Sequence, residues 1–280
     1  MTLHVVATLP RGPRRGTIVA IPGLSESAES LQVTCRHWAG RGFRVLAIDP
    51  RGHGSSPRWT EEQLRSHPGD IIVDELLSTV DDWCDDSDQP LILFGHSAGG
   101  SAAAAVAART RREVDAVVLE DPFWRLPVTH HQDPDVAKAA TAWLLRQQEL
   151  TDDERREEAA AVHPAWPADE LAGWSSSKAQ MDAALLRHGD VIPSRPWPVL
   201  LTDLAERSVP VLILTGTVRI GNTAAHRAIE RSLGAQVEVL EGAGHFIRRD
   251  ERQRFHTTVD AFLDSVLTPE PRARASSAPD

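Results

Sequence analysis

The chain has 280 residues, 41% hydrophobic and 25% charged, enough for one large domain with an insertion or for two small domains. Its formal net charge of -10 repels nucleic acid and anionic membrane, so the expected partner is a small-molecule substrate, with the oligomeric state left open. Met1 to Pro10 lacks a charged n-region with a long apolar stretch behind it, and no window approaches the about 18 apolar residues of a membrane helix, so a cytoplasmic location is expected.

Short apolar runs ending in turn residues predict strands at Thr17 to Ile21, Phe43 to Ile48, Leu91 to Phe94, Ala116 to Leu119, Val211 to Leu214 and Val237 to Leu240. Runs apolar on both faces are what central parallel strands need. Helical stretches alternate with them at Ala28 to Arg41, Asp70 to Asp85, Ser97 to Arg109, Thr223 to Leu233 and Glu251 to Val266. The fold class expected is α/β, a mostly parallel sheet flanked by helices. Cys35 and Cys84 are too far apart to suggest a disulfide framework and read as buried small hydrophobes.

One interval breaks the alternation. Residues 123–207 show helical periodicity and few strand signals, so they read as a helical lid inserted into a core formed by 1–122 and 208–267. Val136, Ala140, Trp143 and Gln147 share one helical face, and Thr151 with Glu154 fits a capping box. Leu171, Trp174, Lys178, Met181 and Leu185 recur at helical spacing, with Gly189 as a C-cap. The interval holds five of the eight tryptophans, and Trp124, Trp143, Trp174 and Met181 are candidates to line a substrate cavity. The tail 268–280, rich in Pro, Ala, Ser and charge, is expected to be disordered.

The chemistry is concentrated in Gly95-His96-Ser97-Ala98-Gly99-Gly100, between a predicted strand and an alanine-rich helix. Gly-x-Ser-x-Gly in that setting is a nucleophile elbow: the tight turn exposes a serine hydroxyl above the sheet. The small residues let strand and helix approach. The Ala98 amide, at a helix N-terminus, can donate to an oxyanion.

With this motif the chain resembles the α/β-hydrolase fold superfamily. Ile21-Pro22-Gly23-Leu24 resembles its oxyanion loop, which implies the Leu24 amide as second donor. Asp49-Pro50-Arg51-Gly52-His53-Gly54-Ser55-Ser56 resembles an architectural loop of the family, and Gly242-Ala243-Gly244-His245-Phe246 resembles its histidine loop. The resemblance implies Ser97 as nucleophile and His245 as general base.

The usual acid is missing. Members commonly carry it shortly after the strand that follows the lid, where this chain has Gly216-Thr217-Val218-Arg219-Ile220-Gly221-Asn222. A minority, including some dehalogenases and thioesterases, place it after the preceding strand, where Glu120-Asp121-Pro122 falls here. Neighbouring residues at a strand end point to opposite sides. Asp121, past the last apolar residue, is therefore expected to be the acid, with Glu120 as the alternative.

These residues predict a serine hydrolase acting on a carboxylic ester or thioester through an acyl-enzyme, without a cofactor. A lactonase or carbon–carbon bond hydrolase acting on a ring-bearing metabolite is the second reading. A non-catalytic binding protein of the same fold, suggested by the missing acid, is the third. A serine nucleophile argues against haloalkane dehalogenase and epoxide hydrolase chemistry. His130-His131 reads as a solvated pair, and no metal site is expected.

Overall fold

Runs buried on both faces form the centre of the sheet: strands β2 (Gly16–Ile21) and β4 (Leu91–His96) have every residue buried. Beside them lie β3 (Phe43–Ile48), β5 (Ala116–Glu120), β6 (Val211–Thr215) and β7 (Gln236–Val239). The computed structural model describes residues 2–84, 90–125, 134–188, 191–218 and 221–267. Among these, the sheet has seven strands in the order β1-β3-β2-β4-β5-β6-β7, parallel except for β1 (Val5–Thr8), which runs antiparallel to β3. Strand β1 was not expected. It has four residues, and its apolar run Val5-Val6-Ala7 is short and not fully buried, unlike the runs of the central strands.

Successive strand residues serve opposite faces. On one face Val19, Leu93, Val117 and Ile213 pack against α3 (Pro68–Trp83) and α4 (Ala98–Arg109). On the other, Ile18, Ile92, Val118 and Leu212 pack against α1 (Gln32–Gly40) and α12 (Arg252–Leu267). Cys35 and Cys84 are buried in these two separate clusters. Short helices α2 (Glu61–Arg65) and α11 (Ile247–Asp250), with α10 (Ala224–Ser232), complete the connections. The expected helix Ala28 to Arg41 begins instead as a 3-10 turn, Ala28–Leu31, before α1. Ser30 Oγ donates to the Ser27 carbonyl at 2.7 Å, and Asp49 Oδ1 accepts from the Ala28 amide at 2.6 Å, which tightens the first turn.

Between β5 and β6 run α5 (Pro134–Glu149), α6 (Asp152–Val162), α7 (Ala168–Ala179), α8 (Ala183–His188) and α9 (Trp197–Glu206). Thr151 and Glu154 form the expected capping box of α6. The buried face of α5 differs from the expected one. Ala137, Thr141, Leu144 and Gln147 are buried, whereas Val136 is 54% and Trp143 39% exposed. Both rows have helical spacing, and the row with Ala137 and Thr141 has the smaller side chains for close packing on α8. The stripe from Leu171 to Leu185 is divided between α7 and α8. Helix α9 packs Leu200, Leu201 and Leu204 into the sheet's α4 side. Gly189, Arg219, His130-His131 and the tail lie outside the described residues.

No helix among the described residues is long and apolar enough to cross a membrane.

Candidate active site

Ser97 joins the end of β4 to α4 with φ 53 and ψ -121, a conformation that L-residues avoid. Its amide donates to the Glu120 carbonyl at 3.0 Å, and its carbonyl accepts from Phe123 at 3.0 Å, so the elbow is stitched to the end of β5. A Cβ on Gly99 would lie 2.3 Å from the Pro22 carbonyl oxygen, and one on Gly23 would lie 3.2 Å from Ser97 Cβ. The loop carrying Leu24 is thus pressed directly against the elbow. The amides of Leu24 and Ala98 donate to no other described residue, and Ser97 Oγ makes no hydrogen bond among them.

Asp121 follows β5 with φ 36. Its Oδ2 lies 2.5 Å from Nδ1 of His245. The loop after β6, where the resemblance looks for a carboxylate, supplies amides instead. Gly221 donates to Asp121 Oδ2 and Asn222 to Oδ1, each at 3.2 Å, and Thr215 Oγ1 donates to Oδ1 at 3.2 Å. Burial by itself would raise the Asp121 pKa. The hydrogen bond and charge of His245, with the Gly221 amide, outweigh it and hold the carboxyl below its ordinary range.

Glu120 has a different role. It is fully buried, and its Oε1 accepts from the Arg248 amide at 2.8 Å while Oε2 lies 2.5 Å from the Arg248 guanidinium. Both oxygens are committed to Arg248, so Glu120 is not the partner of His245. Arg248 also reaches Glu26 Oε1 at 2.6 Å, joined there by Arg249 at 2.7 Å. Glu26 Oε2 accepts from the Gly23 amide at 3.1 Å and lies 2.5 Å from His96 Nδ1. His96 Nε2 in turn donates to the His245 carbonyl at 2.9 Å. Burial opposes the Glu26 charge, but Arg248 and Arg249 overcome it and hold its pKa well below the ordinary value. A buried polar frame therefore joins the loop Gly23 to Glu26, the Ser97 turn and the loop that carries His245.

Glu26, His96, Arg248 and Arg249 had not been singled out in the sequence. The adjacent pair Arg248-Arg249, one residue past His245-Phe246, was the available signal. Of the proposed lining residues, Trp174 packs edge-on against Phe246, with ring centroids 6.5 Å apart. Trp124 stacks on Trp197 and donates Nε1 to Glu230 at 2.7 Å, beneath the Asp121 turn. Met181 is 3% exposed in the core cluster, and Trp143 faces outward on α5. Among the described residues, no cluster of three or more His, Cys, Asp or Glu side chains is arranged to hold a metal ion.

Comparison with known proteins agrees with this architecture. Residues 12–252 match the sequence profile described as serine aminopeptidase, S33. The chain is 28% identical over 290 residues to lipase LipV of Mycobacterium tuberculosis, covering 95% of this chain and 98% of that one. It is 26% identical over 276 residues to the mouse sn-1-specific diacylglycerol lipase ABHD11, covering 92% of this chain and 82% of that one. The crystal structure of E-2-(acetamidomethylene)succinate hydrolase superimposes with a TM-score of 0.71 at 20% identity, covering 94% and 95% of the two chains. The chain therefore belongs to the serine aminopeptidase S33 family of α/β-hydrolase enzymes, and its relatives make it a hydrolase of ester type.

Proposed function

We propose that the protein cleaves a carboxylic ester or thioester of a small, partly apolar metabolite through an acyl-enzyme. The observation that carries this reading is the 2.5 Å approach of Asp121 Oδ2 to His245 Nδ1 beside a serine in elbow conformation. Nδ1 held by a carboxylate leaves Nε2 as the basic nitrogen. His245 Nε2 takes the Ser97 proton as Oγ adds to the substrate carbonyl. The Leu24 and Ala98 amides receive the oxyanion. The same nitrogen returns the proton to the departing alcohol or thiol, and water then repeats the cycle on the acyl-enzyme.

Helices α5 to α8 serve in this reading as a lid over the C-terminal edge of the sheet, the edge where open α/β sheets bind ligands. Trp174 beside Phe246 gives the lid an apolar side next to His245. The lipase names of LipV and ABHD11 support an acyl ester over other substrates. The same aromatic group favours, as a second reading, a lactone or a carbon–carbon bond in a ring-bearing metabolite.

A fluorophosphonate probe should label Ser97 covalently, and a panel of esters, thioesters and lactones should then separate the substrate classes. A wild-type protein that neither labels nor turns over any of the panel overturns the reading.

A further inference from the structure

Lys178 is the one basic residue in an otherwise apolar stripe of the lid, and it is 1% exposed. Its Nζ donates to the Ser25 carbonyl at 2.7 Å and lies 3.5 Å from Ser25 Oγ and 3.4 Å from Ser177 Oγ. It also lies over the Trp174 ring, 4.0 Å from the centroid. No carboxylate is paired with it among the described residues. An ammonium buried without a counter-ion is costly, and a purely structural role would be better filled by an apolar side chain. Burial pushes its pKa down to about 7, with Glu26 acting in the opposite sense.

The carbonyl it grips belongs to a strained turn. The Glu26 amide donates to the Gly23 carbonyl at 3.0 Å, closing a four-residue turn whose third residue, Ser25, has φ 63. Glycine takes that position readily and serine resists it. Glu26 Oε2 holds the Gly23 amide at one end of the turn, and Lys178 holds the Ser25 carbonyl at the other. Between them stands the unpaired Leu24 amide, on the loop pressed against Ser97. Ser177 Oγ is 3.0 Å from the same Ser25 carbonyl but 2.7 Å from Trp174 O, and its single proton serves the nearer acceptor.

We infer that Lys178 is a positioning residue for the hydrolysis: from lid helix α7 it fixes the Ser25 turn and thereby holds the Leu24 amide where the oxyanion forms. This rests on the serine-hydrolase reading given above. Substrate approach does not need the clamp, but charge development on the carbonyl oxygen does. The loss should therefore fall on the chemical step and not on binding.

The test compares wild type, Lys178→Met, Lys178→Gln and Ser177→Ala by three measurements. These are the rate of fluorophosphonate labelling, kcat and KM for 4-nitrophenyl butyrate, and amide hydrogen exchange in the segment 22–31. Lys178→Met keeps the stem and loses the donor. It should label and turn over about tenfold to a hundredfold more slowly, with KM changed less than about twofold. Exchange at the Ser25 turn should accelerate while β4 and β5 stay protected. Lys178→Gln, with a shorter neutral donor, should recover part of the rate, and Ser177→Ala should lose little.

A folded Lys178→Met that labels at the wild-type rate overturns the inference and leaves the hydrolase reading standing. A raised KM with unchanged kcat overturns it as well, because Lys178 would then shape the pocket only. If Lys178→Met does not fold, Lys178→Gln carries the same comparison. A wild type that does not label overturns the hydrolase reading, and the exchange data then decide whether Lys178 clamps the turn.

Discussion

Asp121 and His245 meet at 2.5 Å although they stand 124 positions apart, and the carboxylate comes from the end of β5, not from the loop after β6. That loop still attends the acid, through the Gly221 and Asn222 amides. The carboxylate beside Nδ1 and the amides that hold it thus come from the ends of two neighbouring strands, β5 and β6.

Asp121→Asn should therefore keep the fold and lose turnover by about 10⁴, because an amide beside Nδ1 favours the wrong tautomer. Glu120→Gln should do the reverse. It weakens a buried pair with Arg248, and breaking such a pair costs roughly 3–5 kcal/mol, so the loss should appear in thermal melting. Steady-state rates with melting curves for both variants check this. An active Asp121→Asn beside an inactive but stable Glu120→Gln would reassign the acid.

Ser97→Ala should abolish fluorophosphonate labelling and nearly all turnover. The strain at φ 53 gives an independent check. Ser97→Gly, equally inactive, should be more stable than Ser97→Ala by about 1 kcal/mol or more, since only glycine takes the left-handed region freely. Equal urea midpoints for the two would place the strain elsewhere.

The pH dependence of stability should carry a signature of Lys178. Its folded pKa of about 7 lies below the ordinary 10.5. The unfolded chain therefore holds a proton that the folded chain lacks between those values. Stability from this group rises with pH across that window, and its cost is present in full below about 7. Burial sets the direction; among the neighbouring charges Glu26 favours the charged form, and Arg249 and Arg248 oppose it. Wild type should gain on Lys178→Met as pH rises from 7 toward 10.5. A stability difference independent of pH in that range would show an unperturbed lysine.

Trp174→Ala should change the ranking of ester substrates, since its ring packs on Phe246 next to His245. Trp143→Ala, at an outward position on α5, should leave that ranking intact and shift stability within about 0.5 kcal/mol. Competition assays between short aliphatic and aromatic esters distinguish the two. A ranking set by Trp143 would move the substrate path to the outer face of α5.

The central strands were legible because burial on both faces leaves uninterrupted apolar runs, as at Ile18 to Ile21 and Leu91 to Phe94. Strand β1 was missed: its apolar run, Val5-Val6-Ala7, is only three residues long and lies on a partly exposed edge. On α5 the pattern offered two faces, and packing against α8 chose the one with smaller side chains. The stretch holding Ser97 could be found from its turn motif, and those holding Asp121 and His245 from resemblance to the family. The frame behind them could not, because His96, Glu26 and Arg248 meet only through the fold and have no shared spacing in the chain. Lys178 was visible as a charge in an apolar stripe, but its partner, a backbone carbonyl, has no sequence signature.

Helix α7 is fastened at two places, on the Ser25 turn and on the arginines that follow His245. Lys178 grips Ser25, while Glu170 reaches Arg249 at 3.2 Å and Asp169 reaches Arg252 at 2.7 Å. Helices α5 and α6 pack chiefly on α7 and α8, not on the sheet. The inserted segment is thus divided for grafting between relatives. A chimera that imports α5 and α6 exchanges the outer wall and keeps the native frame. One that imports α7 must bring matching residues at Ser25, Arg249 and Arg252, or it loses the Lys178 grip on the Ser25 turn and the carboxylate contacts to the arginines that follow His245.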